Sequence, residues 1–182
     1  DTRRSAEAAE AARGGGAAAV VVLREGALVR AALPKGKTVV LPGSYNPLHR
    51  GHLGLLEAAR AALEKTLLDT SGGGGKTMVH GVFEISVSNV DKGGLAAEEV
   101  RRRAAQFAEP RGVGWPYPVV VTRAPLFSQK ARLFPGCAFV VGADTAKRII
   151  DPRYYGNSQM VSALAEIRHL GCSFIVGGRE DA

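Results

Sequence analysis

Among its 182 residues the sequence has only two cysteines, Cys137 and Cys172. A disulfide framework or a zinc site needs more ligands at tighter spacing. Two thiols far apart in sequence, each inside an apolar stretch, read as buried and reduced, which suits an intracellular, reducing compartment; cytoplasm and organelle matrix are not distinguished. Long hydrophobic runs are also missing. The longest, such as Ala17–Leu23, are interrupted by charge well short of the roughly 18–20 residues a spanning helix needs, so no membrane partner is expected. There is no long basic tract and no interleaving of basic and aromatic residues, so nothing points to nucleic acid specifically. Acids are the scarcer charge, 17 against 24 Lys+Arg, for a net charge of +7. That excess favours anionic partners in general without choosing among nucleotide, nucleic acid or acidic protein. Arg101-Arg102-Arg103 reads as the solvated face of a helix.

Hydrophobic residues make up 46%, enough for one domain with its own core. Residues 1–36 form a separate segment. It opens with an Ala/Arg/Glu-rich stretch expected to be helical, in which Glu7 and Glu10 count against an organelle presequence. Gly14-Gly15-Gly16 follows as a linker, and Ala18–Leu23 and Ala27–Leu33 then flank Arg24-Glu25-Gly26 in a hairpin, which reads as a candidate tail of a preceding domain. Because the sequence starts at Asp1 and stops just after an apolar strand, it is expected to be part of a longer polypeptide.

From Lys37 to Ala182 strands and helices alternate. Strands are expected at Thr38–Leu41, Met78–Val87, Pro118–Thr122, Cys137–Val141 and Cys172–Val176. Leu53, Leu55, Leu56, Ala59, Ala62, Leu63 and Leu67 form a helical stripe after the first. Leu95, Val100, Ala104 and Phe107 mark a second helix, and Leu126–Leu133, Thr145–Ile150 and Gln159–Leu170 three more. Nearly continuous apolar strands between helices indicate an α/β fold, a Rossmann-like parallel five-stranded sheet of order 3-2-1-4-5 with helices on both faces.

The chemistry concentrates where the first strand ends, in Gly43-Ser44-Tyr45-Asn46-Pro47-Leu48-His49-Arg50-Gly51-His52. Gly43-Ser44 allows a tight turn, Asn46-Pro47 an extended bend, and Gly51 a close approach to the backbone. His49 and His52 are three apart at the start of the next helix, whose N-terminus carries unpaired N–H groups and partial positive charge. Together these make an anion site with two imidazoles added. Two surface histidines in a loop are the plainer alternative. Zinc is a poorer one, because no third Cys, His or acid lies at suitable spacing, and no protein metal site is expected.

This ten-residue segment resembles the first signature of the nucleotidylyltransferase superfamily, the group with a His-x-Gly-His motif. Its Asn-Pro pair makes it most similar to the nicotinamide/nicotinate mononucleotide adenylyltransferase branch, with Tyr45 where Phe is more usual. The resemblance implies that Gly43, Ser44, Tyr45, Asn46 and Gly51 line a nucleotide site and that His49 and His52 hold a triphosphate. It matches Lys92, in the loop after the second strand, to a lysine that meets phosphate. It also matches Gly142-Ala143-Asp144 to a Gly-x-Asp whose acid contacts ribose. Arg179, after the fifth strand, is a further nucleotide-binding candidate. The bland readings are an exposed loop lysine for Lys92, a helix N-cap for Asp144 and plain surface for Arg179. Mg²⁺ is implied as a cofactor bound through substrate phosphates. The implied partners are a nucleoside triphosphate and a small phosphorylated acceptor.

The implied reaction is adenylyl transfer from ATP to an acceptor such as nicotinamide or nicotinate mononucleotide, with release of pyrophosphate. The alternatives are cytidylyl transfer, or a non-catalytic subunit that keeps the fold as a scaffold in a larger assembly. A second family signature, Ile-Ser-Ser-Thr-x-Ile-Arg or similar, does not occur before Ala182; its presence further on would favour the enzyme, and its absence the scaffold. Gly72-Gly73-Gly74-Gly75-Lys76-Thr77 is no P-loop, since Thr70 stands where that pattern needs glycine and a strand rather than a helix follows. Trp115 and Tyr117 are candidates to stack on a base or, more commonly, to cap the core.

Overall fold

A computed structural model describes residues 21–24, 27–30, 37–70, 78–89, 93–107, 117–156 and 159–178. In chain order the elements are β1 (Val21–Arg24), β2 (Ala27–Arg30), β3 (Lys37–Pro42), α1 (Arg50–Thr70), β4 (Val79–Ser86), β5 (Ser88–Asn89), β6 (Gly93–Gly94) and α2 (Ala97–Ala105). There follow β7 (Val119–Thr122), α3 (Phe127–Leu133), β8 (Ala138–Gly142), α4 (Ala143–Ile149), a 3₁₀ turn at Pro152–Tyr154, α5 (Met160–His169) and β9 (Ser173–Gly177). Five parallel strands lie in the order β7-β4-β3-β8-β9, which is the expected 3-2-1-4-5. The β1–β2 hairpin extends the β7 edge, with Val21 opposite Val121 in an antiparallel pairing. Leu28 pairs with Leu23 as the hairpin expectation requires. The expected N-terminal helix, the glycine-rich Gly72–Thr77 stretch, Trp115, Lys92 and Arg179 lie outside the described residues.

The period-2 alternation of the strands divides the core in two. Val39, Leu41, Phe83 and Ile85 face one side, where Leu56 and Ala59 of α1 and Val100 and Ala104 of α2 cover them. Val40, Val82, Val120 and Phe139 face the other, under Ala131 and Phe134 beside α3 and Ile167 of α5. Helices therefore cover both faces, and each fully buried aliphatic or aromatic side chain contributes about 1.5–3 kcal/mol. Tyr117 caps the first of these clusters. Its ring lies where a Cβ at Gly81 would come within 2.8 Å, so glycine at 81 makes room for it. No helix among the described residues is long and apolar enough to cross a membrane.

Parallel pairing brings together two residues the sequence holds 35 apart. Cys137 and Cys172 each precede a strand, β8 and β9, and their sulfurs are 3.9 Å from one another, both thiols free and buried. Burial, and then the neighbouring sulfur, push the Cys137 thiol far up, so it stays protonated.

The same face contains a buried ion pair that the sequence did not announce. The Lys130 ammonium of α3 donates to both carboxylate oxygens of Glu84, each at 2.8 Å, and the Thr122 hydroxyl donates to the same carboxylate. Glu84 is 0% exposed and Lys130 4%. With the lysine removed, an uncompensated carboxylate remains in the core, a loss of about 3–5 kcal/mol. Lys130→Met should accordingly lower the free energy of unfolding by that order in urea titration, and adding Glu84→Gln should recover part of it. A loss within about 0.5 kcal/mol, the range of ordinary surface substitutions, would show that the pair carries no such constraint.

Candidate functional site

The carboxyl end of β3, the central strand, is where the chain turns outward. The Gly43 N–H donates to the Glu84 carbonyl of β4 at 2.9 Å, holding the turn against the neighbouring strand. A Cβ at 43 would fall 2.7 Å from the Tyr45 ring, so glycine is required for that ring to fold back over it. Tyr45 itself has a φ of 46°, and the Asn46–Pro47 peptide that follows is cis. The Tyr45 side chain is buried, edge-on to Phe83 and Phe107 at 5.5 and 5.2 Å, and its hydroxyl donates to the Leu41 carbonyl. What Tyr45 has to offer a nucleotide is therefore its backbone, since the ring serves the core.

His52 stands in the first turn of α1, its ring edge-on to Tyr45 at 5.0 Å and stacked on the His49 ring at 3.7 Å. The His52 N–H donates to the His49 carbonyl at 3.0 Å, while the His49 N–H donates to Nδ1 of His52 at 3.2 Å. These reciprocal bonds cap the helix. They also fix a tautomer: with Nδ1 accepting, the proton of neutral His52 sits on Nε2, free to donate to a ligand. A Cβ at Gly51 would come within 3.1 Å of the His49 ring, so glycine there leaves that ring its place. The first turn of α1 holds no acid, and the positive end of its dipole is left unneutralised. Ser44, Asn46 and His49 are exposed around it.

Gly142 and Asp144 belong to the same edge of the sheet. Val39 and Val40 pair with Ala138 and Phe139, and that register, carried forward, sets the end of β3 beside the end of β8. Gly142 pairs with Gly177 of β9, and Gly177 lies against Leu55 of α1. The first turns of α1 therefore lie over the ends of β8 and β9, at the point where the strand order reverses. Helix α4 starts at Ala143, two residues before the expected Thr145. Its N-cap is Gly142, so the N-cap reading of Asp144 is corrected: Asp144 lies in the first turn, exposed, where an acid suits the helix dipole.

Three side chains of α2 and its C-cap correct the reading of Arg101–Arg103 as a solvated face. Arg103 donates to the Ser44 carbonyl at 3.1 Å and Arg102 to the Asn46 side-chain oxygen at 2.7 Å. The Gln106 amide donates to the Tyr45 carbonyl at 2.8 Å and accepts from the Leu48 N–H at 2.9 Å. Both arginines also bind Glu99, and their hydrogen bonds, Arg102 first, pull that carboxyl down to about 2. The signal was present in the spacing, since 99, 102, 103 and 106 lie on one helix face, but only the fold shows what that face touches.

A cavity of about 450 Å³ lies beside α4, walled by Phe127, Thr145, Arg148, Ile149, Tyr155 and Ile167. No residue of the histidine loop lines it, but Thr145 is the chain neighbour of Asp144. Among the described residues no three His, Cys, Asp or Glu side chains gather as a metal cage.

With this geometry in view, the comparison with known families bears on one stretch. Residues 40–80 match the cytidylyltransferase-like family. That stretch runs from β3 through the histidine loop and α1 into β4, and the family belongs to the nucleotidylyltransferase superfamily. No curated protein matches the chain.

Burial, and next the His49 ring, lower the His52 pKa from its ordinary 6.5. Proton-linked stability then has a definite sign. Between the lowered value and 6.5 the unfolded chain binds more protons, so this contribution is complete above 6.5 and is lost as pH falls towards the folded value. In an NMR titration His52 should show a midpoint below 6.5, and His49→Ala should raise it. A midpoint at or above 6.5 in the parent would contradict the neutral, stacked pair.

Proposed function

We propose that this protein is a nucleotidylyltransferase that moves an adenylyl group from Mg–ATP to a small phosphorylated acceptor, nicotinamide or nicotinate mononucleotide, and releases pyrophosphate. The observation that carries the reading is the stacked His49–His52 pair at an acid-free helix N-terminus, inside the stretch that matches the family.

The chemistry asks little of a general base. An acceptor phosphate oxygen attacks the α-phosphorus of the triphosphate, a bond from phosphorus to the bridging oxygen breaks, and pyrophosphate leaves. The nucleophile is already an anion. The barrier lies in bringing two polyanions together and stabilising charge in the transition state, which is a matter of positioning and of aimed donors. In this reading Nε2 of His52, the His49 ring and the open N–H groups of α1 hold the triphosphate, and the backbone of Gly43, Ser44 and Tyr45 with Gly51 leaves room for it. Asn46 stands at the rim. Gly142 lets the nucleotide lie close against β8, and Asp144 takes the ribose hydroxyls. Lys92 and Arg179, outside the described residues, are the proposed neighbours of the phosphates. Mg²⁺, as part of the nucleotide substrate, neutralises charge on the phosphates it bridges.

The family's description favours one second reading, transfer of a cytidylyl group from CTP. The test is pyrophosphate release by the full-length protein with Mg–ATP and with Mg–CTP, against a panel of phosphate acceptors that includes nicotinamide mononucleotide. Release that needs one acceptor and drops roughly 10²–10³-fold in His52→Ala, the usual effect of removing one aimed donor, is the expected result. Absence of release from the folded protein with either nucleotide and every acceptor would overturn the catalytic reading in favour of a scaffold.

A further inference from the structure

The backbone between Tyr45 and Leu48 must be held in place if His49 is to stand over His52, and Pro47 within it has no N–H to contribute. Support comes from outside the loop. Gln106, the C-cap of α2, places one amide across this segment: Nε2 donates to the Tyr45 carbonyl at 2.8 Å and Oε1 accepts from the Leu48 N–H at 2.9 Å. A weaker contact from Nε2 to the Arg103 carbonyl, at 3.2 Å, orients the amide against its own helix. The next residue, Phe107, meets the ring of the same tyrosine at 5.2 Å, so two consecutive residues hold Tyr45 by its carbonyl and by its ring. Helix α2 is in turn anchored by Val100 and Ala104, both buried in the core. The Leu48 N–H that Gln106 satisfies is one residue from His49, whose own N–H caps His52.

We propose that Gln106 is a positioning residue for the histidine pair, clamping the loop from Tyr45 to Leu48 so that the His49 ring is held over His52. The function needs an amide. Asn and Gln present a donor and an acceptor side by side on one planar amide, and asparagine is one methylene shorter. An ionised glutamate keeps the bond from Leu48 and loses the one to Tyr45. Leucine loses both and leaves the Leu48 N–H and the Tyr45 carbonyl without that partner. The importance of the clamp for turnover rests on the nucleotidylyltransferase reading, whereas the clamp itself does not.

The test uses the full-length protein with Gln106→Leu and Gln106→Glu, each first shown to be folded by its thermal transition. In isotope-labelled protein, NMR cross-peaks between the His49 and His52 rings report the stacking, and amide exchange reports the Leu48 N–H. Gln106→Leu should lose most of the ring cross-peak intensity and speed Leu48 exchange about tenfold, the equivalent of one net hydrogen bond. Gln106→Glu should weaken the stacking less while keeping Leu48 protected, and it carries the test should the leucine variant not fold. In turnover, kcat should fall about tenfold in Gln106→Leu, more than any rise in KM for Mg–nucleotide. Parent-like ring cross-peaks and Leu48 exchange in the folded variants would overturn the proposal. Loss of stacking in them, with no pyrophosphate release from the parent under any condition, would leave the clamp standing and remove the enzyme reading.

Discussion

Tyr45 is held in a left-handed backbone conformation, with φ at 46°, and everything at the site leans on its being there. For a residue that is not glycine such a conformation costs about 1–3 kcal/mol and persists only where surrounding structure over-determines it. Here the ring is 1% exposed, edge-on to Phe83 and Phe107, with its hydroxyl satisfied by Leu41. Aromatic pairs of this kind contribute about 0.5–1.5 kcal/mol each beyond their burial, and burial of the ring itself is larger still. The core therefore outweighs the strain. From that fixed ring a continuous stack leads outward: Tyr45 meets His52, and His52 meets His49. The imidazoles are thus positioned by the hydrophobic core.

The charges that face the histidine loop from α2 are already engaged. His52 is shifted towards its neutral form by burial and by its histidine neighbour. The two nearest arginines of α2 are engaged with Glu99 and with the loop. In the proposed reading, the attraction for an anion at this point comes from oriented donors, the helix end and Nε2, which need little reorganisation when charge develops. The +7 balance of the chain acts at longer range, on encounter.

The fold was legible because its strands are nearly pure apolar runs and its helices carry clear stripes. Val39-Val40-Leu41 and Phe139-Val140-Val141 can sit only in a sheet covered on both faces, and the turn residues between elements set the alternation. The histidine loop was legible because glycine, proline and two histidines have little reason to cluster at a strand end otherwise. What stayed hidden depends on contacts between distant segments. Arg102, Arg103 and Gln106 form a polar helix face that looks the same whether water or a loop lies against it. Lys130 sits in a short amphipathic helix where a lysine is ordinarily solvated, and nothing local pairs it with Glu84, 46 residues earlier. The start of α4 slipped by two residues because Gly142, with no side chain to cap, takes the N-cap place that Asp144 seemed made for. Tyr45 is a nucleotide-binding candidate by its place in the motif, and only the fold shows that its ring points into the core.

The strand order explains why one loop can carry so much. Successive strands run outward from β3 in two directions, first to β4 and β7, then back to β8 and β9, so the chain crosses from one face of the sheet to the other at β3. The helices that follow the first two strands, α1 and α2, pack on one face, while α3 and α5 pack on the other. That division sets the ends of β3 and β8 side by side where the strand order reverses, and α1 and α4 start there. It also separates the tasks. The α1–α2 face supplies the loop and its braces, and the α3–α5 face, stiffened by the Glu84–Lys130 pair, supplies the walls of the cavity beside α4. Glu84 takes part in both: its carboxylate binds Lys130 on one side, and its carbonyl receives the Gly43 N–H at the opening of the histidine loop. A change on the cavity side that moved β4 along its axis would reach the histidines through that bond, through the β3–β4 ladder and through the contact of Phe83 with Tyr45.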